Sequence, residues 1–164
     1  MKTLADVLAH RRREGRCAFI PFIVAGDPAL KMTARHVQLL AREGADIIEL
    51  GVPFSDPVAD GPAIQAAGMR ALKSKTSLSS VLNFIAGLRA QGERTPIILF
   101  TYLNPVLSLG YESFARRCAE SGVEGALVVD LPVEEAGTLN AALRKNKVEP
   151  VLLASPTTSP ERLR

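Results

Sequence analysis

The sequence of 164 residues predicts an α/β protein built on a parallel β-sheet. Short apolar runs rich in Ile, Val and Leu alternate along the chain with amphipathic segments of helical period. The apolar runs are not interrupted by polar residues, which is typical of strands covered on both faces. Because 47% of the residues are hydrophobic and no linker interrupts the pattern, we expect one domain over residues 1–164.

The predicted elements follow one another in a regular order. A short amphipathic helix comes first, because Leu4, Val7 and Leu8 have helical spacing. The strand candidates are Cys17–Val24, Ala45–Leu50, Pro96–Tyr102, Gly125–Asp130 and Pro150–Ala154. Helical periodicity predicts the segments Lys31–Glu43, Pro62–Lys73, Leu78–Ala90, Tyr111–Glu120 and Glu134–Lys145.

Two architectures fit this order of elements. One is an open, doubly wound sheet, and the other is a (β/α)8 TIM barrel. A barrel needs eight strands and usually about 250 residues, so five strands and four helical crossovers would form part of one. Periodicity alone does not decide between them.

Composition and charge exclude several classes of protein. The net charge of +3 is small, and much of it lies at residues 10–13 and 144–147, where cations suit helix C-termini better than nucleic acid. Cys17 and Cys118 lie far apart and are interpreted as small core residues in a reducing compartment. Neither a signal-peptide pattern nor a run of transmembrane length is present, so we expect no membrane association and a cytoplasmic location.

Polar residues gather at the carboxyl ends of the predicted strands, where parallel α/β folds bind their ligands. The amino ends, in contrast, offer almost nothing polar except Asp46. The residues at the carboxyl ends are Gly26, Asp27, Glu49, Tyr102, Asn104, Asp130 and residues 155–158.

Glu49 opens the stretch "ELGVPFSDPVADGP" and interrupts an otherwise apolar strand. Strand alternation puts it on the same face as Ile47, where burial of a carboxyl group raises its pKa. Such a group donates and accepts protons near neutral pH. The alternative is that an Arg or a loop amide neutralises it.

Asp60 follows eleven positions later, and three prolines stiffen the intervening loop. Two carboxylates in different environments suit acid–base chemistry on two atoms of one substrate. The alternative for Asp60 is ordinary capping of a helix that begins at Pro62, and Asp56 before Pro57 fits a turn.

Absent residue types exclude other chemistries. No Lys follows a predicted strand, which disfavours an imine-forming aldolase. His10 and His36 belong to predicted helices, so we expect no metal site. A carbon–carbon cleavage here therefore requires a substrate that supplies its own electron sink.

Four segments closely resemble the tryptophan synthase alpha subunit family: "PFIVAGDP", "GADIIELGVPFSDPVADGPAIQ", "YLNPVLSLG" and "VVDLPVEE". The resemblance runs from the first helix to Arg164 and corresponds to about the first three-fifths of a complete family barrel. It implies a single partial TIM barrel, incomplete at its C-terminus. Val24 and Ser108 depart from the residues that many members carry.

The resemblance implies retro-aldol cleavage of indole-3-glycerol phosphate to indole and glyceraldehyde 3-phosphate in tryptophan biosynthesis. Glu49 would carry the proton, and Asp60 would accept a hydrogen bond from the indole N–H. The residues matching the indole pocket are Phe22, Ile64, Phe100, Tyr102, Val129 and Leu153.

The resemblance also implies a partner, the beta subunit of an allosterically coupled alpha2beta2 heterotetramer. That subunit would hold pyridoxal phosphate, whereas this chain would hold no cofactor. Pro53, Asp56 and Asn104 match positions that contact the partner. The alternative function is a truncated, inactive barrel that serves as a docking module for a beta subunit.

Overall fold

A computed structural model describes residues 3–163. Within that range the chain forms seven helices and five strands, which occur in the order α1 (Leu4–Arg13), β1 (Phe22–Val24), α2 (Leu30–Arg42), β2 (Ile48–Gly51), α3 (Pro62–Lys73), α4 (Leu78–Ala90), β3 (Ile97–Thr101), α5 (Leu103–Leu109), α6 (Tyr111–Ser121), β4 (Gly125–Val128), α7 (Gly137–Lys145) and β5 (Glu149–Val151).

The five strands form one parallel sheet in the order β1-β2-β3-β4-β5. In the register across the sheet, Glu49 lies between Phe22 of β1 and Ile98 of β3, and the row continues to Gly125 and Glu149. Residues paired in this way point to the same face of the sheet. The register therefore fixes which side chains surround Glu49.

The two faces of the sheet are covered differently. On the outer face, Leu50 and Leu99 belong to the large core cluster formed with α4, α6 and α7, and Ile48 packs with α2. On the inner face, Ile98 and Leu127 form a smaller cluster with the first helix, α1. The side chain of Glu49 points to the inner face, which it shares with Ile98 by register.

Strand order and helix placement decide between the two predicted architectures. A doubly wound sheet reverses its strand order and carries crossover helices on both faces. Here the order is sequential, and α2, α4, α6 and α7 all pack on the outer face. The prediction of five strands and four crossovers of a TIM barrel is confirmed.

The first strand is shorter than predicted. Cys17–Val24 was expected, but β1 begins at Phe22. The carbonyl groups of Phe19 and Pro21 already accept hydrogen bonds from the N–H groups of Asp46 and Glu49, yet Pro21 has no N–H to donate, so the ladder starts after it. Cys17 is consequently exposed, and its interpretation as a core residue was wrong, whereas Cys118 is buried as expected.

Helix α5 was not predicted. Its sequence, LNPVLSL, is seven residues long and carries an early proline that is typical of a loop. Pro105 falls within the first turn, where a missing N–H costs nothing. Gly110, with φ +81°, then ends α5 and caps α6.

Polar side chains also lie at the amino ends of the strands, contrary to the expectation that Asp46 would be nearly alone there. Glu124 is buried before β4 and accepts hydrogen bonds from the Arg89 Nη2 at 2.9 Å and the Ile97 N–H at 2.7 Å. Arg89 also donates to the carbonyl groups of Gly122 and Thr95. This network ties α4 to the starts of β3 and β4.

We expect Arg89→Ala to lower the free energy of unfolding by about 3–5 kcal/mol, because it leaves the buried Glu124 carboxylate without its counter-ion. Urea unfolding followed by circular dichroism measures the loss. Arg116→Ala is the control: Arg116 lies 3.9 Å from Glu120 on the exposed face of α6, so its removal should cost no more than about 0.5 kcal/mol. Equal losses in the two variants would contradict the role given to the Arg89 network.

Candidate active site

Glu49 lies at the second position of β2 and is half-buried on the inner face. Burial is the cause of its raised pKa, since an ionised carboxylate is costly among apolar neighbours. Within residues 3–163, no hydrogen bond or ion pair reaches its carboxyl group. The alternative in which an Arg or a loop amide neutralises Glu49 is therefore wrong for this part of the chain.

Asp60 lies directly before the cap of α3. The N-cap is Gly61, and no side chain caps the helix, so the capping interpretation of Asp60 is wrong. Burial raises the pKa of Asp60, and a hydrogen bond with the Tyr102 hydroxyl partly opposes the rise. Pro62 occupies the first position of α3, as predicted.

The loop of residues 52–61 is held against Tyr102, which is 2% exposed. The Phe54 ring stacks on the Tyr102 ring at a centroid distance of 5.0 Å and an interplanar angle of 27°. The Ala59 N–H donates to the Tyr102 hydroxyl at 3.1 Å. Sequence reasoning gave Phe54 no role, although an aromatic residue in a proline-rich loop signals a packing contact.

Four residues predicted to line an indole pocket come together in one cleft with Asp60. They are Phe22, Ile64, Phe100 and Tyr102. The rings of Phe22 and Phe100 meet edge to face at 5.3 Å. The free volume is about 20 Å³, enough for roughly one water molecule, so a flat aromatic ligand requires these rings to separate.

Gly51 makes room for one wall of this cleft. A Cβ atom at Gly51 would lie 2.6 Å from the Phe22 ring, so any larger residue would displace that ring. Phe22 is also the register neighbour of Glu49. The same aromatic residue thus lines the cleft that contains Asp60 and is paired with Glu49 across the sheet.

Val129 and Leu153 do not line this cleft. They lie in a separate groove of about 810 Å³ at the carboxyl ends of β4 and β5, together with Asp130 and Thr158. Val129 packs on the inner-face cluster, whereas Leu153 is 64% exposed. The predicted pocket residues are thus divided between two neighbouring depressions.

The predicted partner-contact residues lie near the same end of the sheet. Asp56 and Asn104 are exposed, whereas Pro53 is buried. Pro53 and Ser108 line a surface groove of about 370 Å³ between the loop after β2 and α5. The role of these residues in an interface stays a prediction.

Among residues 3–163, no three His, Cys, Asp or Glu side chains are grouped so that they could hold a metal ion. None of the helices in that range is long and apolar enough to cross a membrane.

The fold and the site together define a class: a (β/α) barrel protein with a candidate acid–base site on its inner face. A family profile described as "Tryptophan synthase alpha chain" matches residues 8–164. The tryptophan synthase alpha chain of Synechococcus elongatus is 47% identical over 163 residues. This chain belongs to the tryptophan synthase alpha chain family.

Solved structures agree with that assignment. The tryptophan synthase subunit alpha from Legionella pneumophila superposes with a TM-score of 0.94 at 40% identity, covering 99% of this chain and 62% of that one. A chain of the tryptophan synthase complex from Pyrococcus furiosus superposes with a TM-score of 0.84 at 41% identity, covering 89% and 60%. The match to the Synechococcus relative spans 99% of this chain and 61% of the relative.

We expect Glu49→Gln to stabilise the fold increasingly as the pH rises. The folded-state pKa of Glu49 lies above the ordinary value of 4.5, so its favourable contribution is complete below pH 4.5 and is lost as the pH rises through the folded-state pKa. Glutamine does not titrate, so the difference in unfolding free energy between variant and parent should grow over that interval and then level off.

Urea unfolding at a series of pH values measures this difference. Glu120→Gln, at an exposed position on the outer face of α6, is the matched control for the loss of one carboxylate and is compared with the parent at each pH. A parent protein whose stability relative to Glu49→Gln rises with pH would show that Glu49 is stabilised in its ionised form.

Proposed function

We propose that this chain carries the acid–base half of a site that cleaves indole-3-glycerol phosphate to indole and glyceraldehyde 3-phosphate. The observation that carries the proposal is the unpartnered, partly buried Glu49 carboxyl group beside an aromatic cleft that contains Asp60. Membership of the tryptophan synthase alpha chain family supports this reaction. The proposed setting is cytoplasmic tryptophan biosynthesis.

Glu49 is the proposed proton carrier. A carboxyl group with a raised pKa holds its proton closer to neutral pH, so it can protonate C3 of the indole ring. The resulting cation attracts the electron pair of the bond between C3 and the side chain. The same carboxylate then takes the proton of the side-chain hydroxyl, the carbon–carbon bond breaks to form the aldehyde, and the electron pair restores the indole.

Asp60 is the proposed partner of the indole N–H. Positive charge develops on the ring nitrogen after protonation at C3, and a nearby carboxylate stabilises it. The Tyr102 hydroxyl bonds to Asp60 and favours its ionised form against the effect of burial. The two carboxyl groups would thus act in opposite protonation states, with Glu49 as the acid and Asp60 as the anion.

A beta-type subunit is the proposed macromolecular partner. The Pyrococcus furiosus relative occurs in a tryptophan synthase complex. In this chain, the exposed Asp56 lies in the loop that carries Asp60, and the exposed Asn104 lies in α5, which lines a groove together with that loop. A protein docked there would therefore touch the same segment as the substrate. Pyridoxal phosphate would belong to that partner and not to this chain.

A chimera tests the proposed reaction. This chain replaces the matching 61% of the Synechococcus elongatus relative, and indole release from indole-3-glycerol phosphate is measured. We expect Glu49→Gln to lower kcat by about 10³-fold or more, because the proton carrier is lost. Asp60→Asn should lower kcat by about 10²–10³-fold, because one stabilising charge is lost.

Glu120→Gln, on the outer face, is the matched control and should retain the parent activity. Circular dichroism and thermal unfolding establish that each variant is folded. Near-normal indole release by Glu49→Gln would overturn its role as the proton carrier. A folded parent chimera that binds a beta subunit but releases no indole would instead favour the docking-module alternative.

A further inference from the structure

Helix α3 follows Asp60 directly and has little apolar anchorage. Its buried residues are Gly68 and Ala71, which offer small side chains or none. Large apolar residues contribute most of the burial energy in helix packing, so α3 needs other contacts to hold its position. Those contacts lie at its C-terminal end.

A seam of polar and close contacts joins α3 to the loop after β1. The Arg70 Nε donates to the Asp27 Oδ1 at 2.7 Å, and the Arg70 Nη2 donates to the Asp27 Oδ2 at 2.8 Å. The Ser74 hydroxyl donates to the Pro28 carbonyl at 2.7 Å. Thr76, just after α3, lies so close to Gly26 that a Cβ atom there would clash with it.

The Arg70–Asp27 pair has the geometry of a bidentate fork, which fixes orientation as well as distance. Arg70 holds the pKa of Asp27 below its usual range, and Asp27 raises that of Arg70. Because the Arg70 side chain is 54% exposed, its contribution to overall stability is small. The pair therefore matters more for the orientation of α3 than for the free energy of unfolding.

Asp60 is tied to α3 at the other end of the helix. The Gln65 side-chain amide donates to the Asp60 carbonyl at 2.8 Å, and the Gln65 N–H donates to the Gly61 carbonyl at 3.0 Å. The Ala59 N–H, directly before Asp60, donates to the Tyr102 hydroxyl at 3.1 Å, which ties this part of the loop to the end of β3. Asp60 is therefore fixed from two directions, and one of them depends on where α3 lies.

We propose that Arg70 is a positioning residue: its bidentate pair with Asp27 fixes α3, and through α3 sets the place of Asp60 beside the aromatic cleft. The mechanical part of the proposal, that Arg70 fixes the position of α3, depends only on contacts within the chain. The catalytic consequence rests on the proposed function of Asp60.

Amide hydrogen exchange of the chain tests the mechanical part. In Arg70→Met the amides of residues 65–71 should exchange about tenfold faster, because the helix opens locally without the fork. Arg70→Lys keeps the charge but not the fork and should fall between Met and the parent. Lys73→Met removes an exposed cation from the same helix and should leave exchange within about twofold of the parent.

Urea unfolding of the same variants measures their global stability, so that faster exchange caused by local opening of α3 can be told apart from faster exchange caused by unfolding of the whole chain. The proposal requires faster exchange in α3 while the amides of β3 and β4 keep their parent rates. Unchanged exchange in α3 of Arg70→Met would overturn it. Equal acceleration throughout the chain would also overturn it, since that outcome marks a general loss of stability.

Kinetics of the chimera test the catalytic consequence. Arg70→Met should lower kcat by about tenfold to a hundredfold with KM nearly unchanged, because a displaced Asp60 stabilises the charged intermediate less. Lys73→Met should keep both constants. If α3 of Arg70→Met exchanges faster but kcat is unchanged, Arg70 fixes α3 without affecting catalysis, and only the catalytic consequence is overturned. If the parent chimera is inactive, the result counts against the proposed function, whereas the exchange rates still decide whether Arg70 fixes α3.

Discussion

The parallel register of the five strands is the constraint on which the rest of the structure depends. It aligns Glu49 with Phe22 and Ile98, and it sends all three side chains to the inner face. The crossover helices then cover the opposite face, and their polar connections meet at the carboxyl ends of the strands. A shift of one residue in the register of β2 would move the Glu49 side chain to the outer face and place an aliphatic side chain on the inner face instead. Both the barrel wall and the candidate site therefore follow from one pattern of backbone hydrogen bonds.

Glu49 differs from the buried carboxyl groups at the amino ends of the strands. At the amino ends, burial of Asp46 acts to raise its pKa, but hydrogen bonds from the Phe19 N–H and Arg11 lower it overall. Glu124 is more deeply buried, and Arg89 and the Ile97 N–H compensate part of the cost. These groups brace the strands. Among residues 3–163 no group compensates Glu49 in this way, and carboxyl groups with pKa values raised by burial are concentrated at functional sites.

The sequence predicted the elements with strong periodicity and the residues with unusual chemistry. The five strands, the long helices and the face that Glu49 shares with Ile47 follow from alternation, helical period and strand ends. The aromatic lining around Asp60 was implied by the family resemblance and not by these patterns. The short helix α5 and the start of β1 were mispredicted because each depends on the exact position of a proline. Pro105 fits within the first turn of α5, and Pro21 delays β1 because it cannot donate a hydrogen bond to the neighbouring strand. The hydrogen bond from the Ala59 N–H to Tyr102 and the bidentate pair of Arg70 and Asp27 each join residues 43 positions apart, and no local pattern encodes such distances.

The pKa of Glu49 shows whether burial without a partner keeps this carboxyl group protonated at a higher pH than an ordinary glutamate. The carboxyl carbon of Glu49 in the ¹³C-labelled chain, assigned by comparison with Glu49→Gln, can be followed by NMR through a pH titration. The account predicts a midpoint above the ordinary value of 4.5 that changes little with added salt, since desolvation and not an ion pair causes the shift. A midpoint at or below 4.5 would contradict it.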